Sequence, residues 1–140
     1  MATIFFDLGD TLVRARWAGN PPRLELEPFD FAAGLLARLR ADGHRLGIIS
    51  NTGDETGATI DALLAGIGLR DSFDGLLRLY SFDFPDLQPK PAPDLFVEAR
   101  DRSEPGEHIL FVGENEDERA AAAAVGFETV EVGDLEALLG

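Results

Sequence analysis

This 140-residue sequence contains no cysteine and only two histidines. The absence of cysteine excludes a disulfide framework, a thiolate-bound zinc ion, an iron–sulfur cluster and a cysteine nucleophile. Two histidines offer little for an imidazole-based metal site. Any metal ion that this protein binds is therefore expected to have oxygen ligands.

Basic side chains are also scarce, with 12 Lys and Arg residues against 26 Asp and Glu residues and a formal net charge of −14. An excess of carboxylates repels nucleic-acid phosphates and anionic lipids, and no local basic patch offsets it. No apolar run approaches the roughly 18 residues of a membrane span, and the N-terminus lacks the pattern of a secretion signal. We therefore expect a cytoplasmic protein that binds neither nucleic acid nor membrane, while its oligomeric state stays open.

What the sequence does contain is a regular alternation of two kinds of segment. Five short apolar runs are typical of strands buried on both faces of a sheet: residues 3–8, 46–50, 75–80, 108–112 and 128–132. Segments with helical spacing separate and follow them: residues 29–41, 54–66, 94–102, 117–125 and 135–139. The alternation predicts a single α/β domain over residues 1–140, with a three-layer, doubly wound (Rossmann-like) parallel sheet of about five strands.

One stretch, residues 13–28, belongs to neither series. Two short extendable pieces flank the turn signal Gly19-Asn20-Pro21-Pro22 within it. We expect this stretch to form a flap or a small hairpin.

Polar side chains follow four of the predicted strands at the point where each strand ends. They are Asp7 after the first, Ser50 and Asn51 after the second, Lys90 in the loop after the third, and the acidic run from Glu114 to Glu118 after the fourth. Ligands of doubly wound sheets bind beyond the carboxyl ends of the strands. Carboxylates, a hydroxyl and an ammonium gathered there suit a phosphoryl group, since a carboxylate attacks phosphorus and the other groups bind its oxygens or a hard cation.

In order and content, these segments resemble the motifs of the haloacid dehalogenase (HAD) superfamily of hydrolases. The first motif reads Phe5-Phe6-Asp7-Leu8-Gly9-Asp10-Thr11-Leu12-Val13 and the second Ile48-Ile49-Ser50-Asn51. The third reads Lys90-Pro91-Ala92-Pro93-Asp94-Leu95-Phe96, and the fourth opens at Phe111-Val112-Gly113-Glu114. The resemblance covers nearly the whole chain and implies a HAD-like fold.

The resemblance also implies a role for individual residues. Asp7 is expected to be the nucleophile that forms an aspartyl-phosphate, assisted by Ser50 and Lys90 as catalytic residues. Phosphate binding falls to Ser50, Asn51, Lys90 and Thr11. The cofactor is expected to be Mg²⁺, held by Asp7, the carbonyl of Gly9, Glu114 and Glu118, with Asp117 as a competitor for the position of Glu118.

Three features depart from the family pattern. Gly9 stands where phosphatases of the family have a second Asp, which serves as general acid and base. Glu114 stands where Asp is commoner. Residues 13–28 are too few for a cap domain, so we expect no cap and an open site.

The resemblance leaves more than one function open. The first is a Mg²⁺-dependent phosphomonoester hydrolase that acts on a phosphorylated small molecule or a phosphoprotein. The alternative is a weak or inactive relative that binds metal, phosphate or a protein partner through the same cleft, as Gly9 and Glu114 suggest. A dehalogenase ranks third, because a small halogenated acid needs an enclosed pocket.

Some of these residues also have purely structural interpretations. The acidic run from Glu114 to Glu118 opens a predicted helix, where negative charge favours the helix dipole. Residues 52–55 fit a capping box of the next helix, so Ser50 and Asn51 also have a structural explanation as the residues that lead into that helix. Lys90, between two prolines, is alternatively a solvated charge on an extended segment.

Overall fold

The computed structural model describes residues 1–139 and contains one five-stranded parallel sheet flanked by helices. Its strands are β1 (Ala2–Phe6), β4 (Arg45–Ser50), β5 (Arg78–Tyr80), β6 (His108–Val112) and β7 (Glu128–Val130), arranged β5-β4-β1-β6-β7. The helices are α1 (Ala32–Ala41), α2 (Gly57–Gly66), α3 (Asp94–Arg102), α4 (Glu116–Val125) and α5 (Leu135–Leu139). The chain begins at the centre of the sheet and winds first to one edge and then to the other, which confirms the doubly wound α/β fold.

The hydrophobic core lies in two layers, one on each face of the sheet. Alternate residues of β1 divide between them, because Ile4 and Phe6 pack on one face and Phe5 on the other. The first layer is covered by α1, α2 and α5, and the second by α3 and α4. The continuous apolar runs of the sequence follow from this burial on both faces.

Element boundaries differ from the sequence-based expectation mainly at helix starts. Helix α2 begins at Gly57, since the side chain of Thr56 accepts a hydrogen bond from the backbone N–H of Thr59. Thr52 and Glu55 instead close a turn through their own backbone and hydroxyl groups. The capping-box interpretation of Thr52 was therefore wrong, because the helix begins one turn later at another threonine.

Residues 13–28 form an antiparallel hairpin of β2 (Val13–Ala18) and β3 (Arg23–Pro28). Its two faces differ in character. Trp17 pairs with Leu24 and Ala15 with Leu26 on one face, whereas Arg16 and Glu25 pair on the other at 3.6 Å between Nε and Oε1. Strand β3 packs against α2, so the apolar face of the hairpin is held beside the carboxyl ends of the strands.

Within residues 1–139, no helix is long and apolar enough to cross a lipid bilayer.

Candidate active site

Asp7 lies at the centre of the carboxyl edge of the sheet. It follows β1 directly, and its backbone N–H donates to the carbonyl of Val112 at the end of β6, at 2.9 Å. Its Oδ1 accepts a hydrogen bond from the N–H of Leu8 at 2.9 Å, which orients the carboxylate. Because β1 is the middle strand, polar groups from both neighbouring strands reach this position.

Lys90 is the cation of the site and is almost entirely buried, with 1% of its side chain exposed. Its Nζ lies 3.1 Å from Oδ1 of Asp7 and 2.7 Å from Oε1 of Glu118, and 5.2 Å from the centre of the Phe111 ring. An unpaired buried ammonium would be very costly, so the two carboxylates are what permits Lys90 to be charged here. The interpretation of Lys90 as a solvated surface charge is excluded.

The main chain of Lys90 is held by Asn51, which follows β4. The amide group of Asn51 donates to the carbonyl of Lys90 at 2.8 Å and accepts from its N–H at 3.0 Å. Asn51 thus forms a two-point clamp on a residue 39 positions away in sequence. Asn51 therefore supports Lys90, and its expected contact with phosphate stays a prediction.

Helix α4 positions Glu118. Asn115 caps the helix by accepting from the N–H of Glu118 at 2.9 Å, which places the Glu118 side chain on the first turn facing Lys90. Gly113, just before the helix, lies where a side chain has no room beside the Phe111 ring. A Cβ at this position would lie 2.9 Å from that ring and 3.6 Å from the Cβ of Asp7. Arg119 donates to the Gly113 carbonyl at 2.8 Å and holds this loop.

Glu114 lies apart from these groups. Its Oε1 accepts from the N–H of Val132 at 3.1 Å, beyond the end of β7, and the residue is exposed. Strand β6 separates β7 from β1, so the Glu114 carboxylate is engaged on the far side of β6 from Asp7. Asp117 is exposed as well.

Ser50 and Thr11 differ in their access to the site. Ser50 ends β4, level with the residues after β1, and lines a cavity at the carboxyl edge. Thr11 is fully buried, and its hydroxyl has no hydrogen-bond partner within residues 1–139. The structure therefore does not bring Thr11 to the surface of that cavity.

The cavity has a volume of about 220 Å³ and lies between the hairpin, helix α2 and the ends of β1 and β4. Gly9 and Ser50 line it on the side of the sheet, and Trp17, Leu24 and Leu26 line it on the side of the hairpin. The hairpin thus covers this cavity beside Asp7, and the expectation of an open site at Asp7 itself stays a prediction.

The oxygen atoms present suit a magnesium ion that has few protein ligands. Within residues 1–139, no three acidic or histidine side chains are grouped closely enough to hold a metal. The Gly9 carbonyl accepts no backbone hydrogen bond in this part of the chain and lies two residues from the carboxylate of Asp7. Mg²⁺ commonly binds one or two carboxylates and completes its shell with water and substrate phosphate, which this donor set allows.

Together, the fold and the site define a doubly wound α/β protein with a lysine-paired aspartate at the centre of its carboxyl edge. The chain belongs to the haloacid dehalogenase-like hydrolase family, whose model matches residues 20–126. This range begins after Asp7 and does not include it. No curated protein sequence matches this one.

Three solved structures illustrate the relationship. An uncharacterized protein from Listeria monocytogenes serotype 4b is 20% identical with a TM-score of 0.72, over 99% of this chain and 97% of that one. The D,D-heptose 1,7-bisphosphate phosphatase from B. bronchiseptica, complexed with magnesium and phosphate, is 15% identical with a TM-score of 0.68, over 100% and 87%. The L-2-haloacid dehalogenase from Xanthobacter autotrophicus, with chloropropionic acid covalently bound, is 32% identical with a TM-score of 0.58, over 76% and 40%.

The sequence analysis assigned no role to three supporting residues, Phe111, Gly113 and Arg119, although the first two stand in the fourth motif. Phe111 lies below the Lys90 ammonium, Gly113 leaves room for the Phe111 ring, and Arg119 holds the Gly113 carbonyl. A glycine directly after a buried strand indicates a position where neighbouring atoms leave no room for a side chain. The partner of Arg119 is a backbone atom, which no side-chain pattern reveals.

Proposed function

We propose that this protein is a phosphomonoester hydrolase that acts through a covalent intermediate on Asp7. The observation that carries the proposal is the buried ion-paired group of Asp7, Lys90 and Glu118. It holds a carboxylate at the centre of the carboxyl edge with a fixed cation beside it. The family relationship to hydrolases and a phosphatase neighbour complexed with phosphate support this assignment.

The chemistry has two steps. A carboxylate oxygen of Asp7 forms a bond to phosphorus while the bond from phosphorus to the ester oxygen breaks, and the electron pair leaves with that oxygen. Water then attacks the phosphorus of the acyl phosphate, which releases inorganic phosphate and restores the carboxylate. The ammonium of Lys90 offsets negative charge in both steps, and the Ser50 hydroxyl donates to a phosphoryl oxygen.

We also propose that Mg²⁺ is the cofactor, held by the Asp7 carboxylate and the Gly9 carbonyl. When bound there, the ion would offset charge on the phosphoryl oxygens. Glu114 binds Val132 and Glu118 binds Lys90, so both carboxylates have partners other than the ion. Calorimetric titration tests this assignment: Asp7→Ala should remove Mg²⁺ binding and Glu114→Ala should leave it largely intact.

Gly9 favours a second candidate function, a weakly catalytic protein that binds phosphate. General acid–base catalysis contributes about 10²- to 10⁴-fold in rate, and the usual acid is missing at position 9. Such a protein would bind phosphate esters but hydrolyse only those with good leaving groups.

The direct test is hydrolysis of 4-nitrophenyl phosphate with and without Mg²⁺, comparing the wild type with Asp7→Asn. Asp101→Asn is a matched control, because Asp101 is an exposed aspartate of α3 whose nearest charged partner is Arg100. We expect activity in the wild type and the control and none in Asp7→Asn. Mass spectrometry of an acid-quenched reaction should find phosphate on the peptide that contains Asp7. Phosphate on another residue, or full activity of Asp7→Asn, would contradict the proposal.

A further inference from the structure

We propose that the cavity beneath the hairpin binds the organic part of the substrate, and that this part is an uncharged, largely apolar alkyl or aryl group. The inference rests on the proposed function for the phosphoryl half of the substrate. It adds the chemical class of the other half and assigns the hairpin as the element that selects it.

The cavity is apolar because of the alternation in the hairpin. Trp17, Leu24 and Leu26 face inward from β2 and β3, and Ile60 of α2 faces them across the space. Leu24 and Leu26 also pack against the main hydrophobic core, which fixes their positions. An apolar group that enters this space leaves water and contacts apolar side chains on several sides.

The size of the cavity points to a small organic group. A volume of about 220 Å³ lies below the roughly 300 to 1,000 Å³ typical of pockets that hold drug-sized ligands. A ring or a short branched chain fits such a space, and a folded protein loop does not. The observations therefore favour a small phosphate ester over a phosphoprotein.

The charge of the lining excludes anionic groups. Glu55 is the one charged residue that lines the cavity, and the lining contains no Lys, Arg or His within residues 1–139. A second phosphate or a carboxylate on the substrate would be desolvated beside Glu55 with no cation to compensate it. A bisphosphate, a phosphorylated acid or chloropropionic acid is thus a poor fit to this chain.

The cavity adjoins the reacting centre at Gly9. This residue lines the cavity two positions after Asp7, and no atom lies within 4 Å of where its Cβ would be. Ser50 lines the same space at the end of β4. A phosphoryl group at Asp7 and Ser50 would therefore direct its ester oxygen and organic group toward the hairpin.

The test compares three phosphate esters of alcohols as competitors of 4-nitrophenyl phosphate hydrolysis: cyclohexyl phosphate, glycerol 2-phosphate and phosphoglycolate. We expect an inhibition constant for cyclohexyl phosphate at least tenfold lower than those of the other two. Equal inhibition by the three esters would overturn the proposal, because it would show that only the phosphoryl group is recognised.

Two neighbouring residues of β3 provide a matched pair of variants. Leu24→Ala removes an inward side chain, and Glu25→Ala removes an exposed side chain on the opposite face of the same strand. Leu24→Ala should weaken inhibition by cyclohexyl phosphate about tenfold and leave glycerol 2-phosphate unchanged, whereas Glu25→Ala should change neither. Identical behaviour of the two variants would contradict the proposal.

A third variant avoids any effect of Leu24→Ala on folding. Ala15 is exposed and lines the cavity, so Ala15→Lys adds a cation to the lining without disturbing the core. It should improve inhibition by phosphoglycolate several-fold relative to cyclohexyl phosphate. An unchanged ratio would count against the role assigned to the charge of the lining.

Trp17 provides a readout that does not depend on catalysis. It is the one tryptophan of the chain and lines the cavity, so its fluorescence reports occupancy. Cyclohexanol, which carries no phosphate, should give a saturable change that Leu24→Ala weakens and Glu25→Ala does not. That response in a protein without phosphatase activity would refute the proposed function alone, whereas hydrolysis without any response would refute the cavity assignment alone.

Discussion

The substitution Gly9→Asp tests whether the missing acid limits turnover. Position 9 accepts a side chain without strain, because its Cβ would have no neighbour within 4 Å and its φ lies outside the left-handed region. The adjacent turn uses Asp10 instead, whose φ is 63°. The new carboxyl group would lie at the mouth of the cavity, where the ester oxygen of the substrate is expected.

The expected gain follows from the chemistry of the leaving group. General acid catalysis is worth about 10²- to 10⁴-fold, equivalent to roughly 2.7 to 5.5 kcal/mol of barrier. An alkyl phosphate needs the full contribution because an alkoxide is a poor leaving group, whereas 4-nitrophenolate departs unaided. The added carboxylate also repels the phosphate dianion of the substrate, which raises KM for both esters.

The assay is kcat for cyclohexyl phosphate and for 4-nitrophenyl phosphate in the wild type, Gly9→Asp and Gly9→Asn. Asparagine has the same shape as aspartate but carries no transferable proton, so it controls for crowding. We expect kcat for the alkyl ester to rise at least tenfold in Gly9→Asp only. A folded Gly9→Asp protein that matches Gly9→Asn on both esters would refute the reasoning and favour the phosphate-binding function.

Four further predictions concern residues outside the reacting group. Thr11→Val should raise the free energy of unfolding by about 1 kcal/mol, because it removes a buried hydroxyl that has no hydrogen-bond partner within residues 1–139. Thermal unfolding checks this, and an accompanying rise in KM would instead show that Thr11 binds phosphate. Gly47→Ala should lower the free energy of unfolding by about 1 to 3 kcal/mol, since its Cβ would lie 2.7 Å from the Leu77 carbonyl. Gly34→Ala lies at an exposed position of α1 where a Cβ would have no neighbour within 4 Å among residues 1–139, so it should raise the free energy of unfolding by about 0.5 to 1 kcal/mol. Thermal unfolding measures both glycine variants, and a lower stability of Gly34→Ala would contradict the packing argument. Burial and the hydrogen bond to Asp61 raise the pKa of Tyr80 above its ordinary value of 10.0, so stability is full below that pH and falls above it as the unfolded state ionises. Tyr80 is the one tyrosine of the chain, so its phenolate absorbance should appear together with unfolding, and Tyr80→Phe should flatten this alkaline decline.

Much of the architecture could be predicted from local patterns. Apolar runs without alternation predicted strands buried on both faces, and Ile4 and Phe5 of β1 indeed pack in different layers. Helix α4 is capped by Asn115 at its start and stopped by Gly126, with a φ of 111°, at its end. Both residue types act within one turn of the helix. Such features depend on neighbours in sequence, and for that reason a single sequence suffices to locate them.

The strand expected at residues 75–80 is shorter in the structure than the sequence pattern predicted. Residues 75–80 were expected to be one strand, but Gly75–Leu77 form a short turn that Asp74 caps, and β5 spans only Arg78–Tyr80. Its length is set by pairing with Ile48 to Ser50 of β4. Strand length in a sheet depends on the partner strand, which the sequence does not place.

The arrangement within the site was decided by tertiary contacts. The sequence alone determined which chemical groups follow each strand, since the motifs around Asp7, Ser50 and Lys90 are continuous along the chain. The tertiary structure decided their partners: Glu118 pairs with Lys90, Glu114 binds the backbone of Val132, and Asn51 clamps the main chain of a residue 39 positions away. Glu114 and Glu118 belong to the same acidic run after β6, yet only Glu118 faces the lysine. The reason is geometric, because the Asn115 cap sets the rotation of α4 and the order of the strands places β7, rather than β1, beside the Glu114 carboxylate.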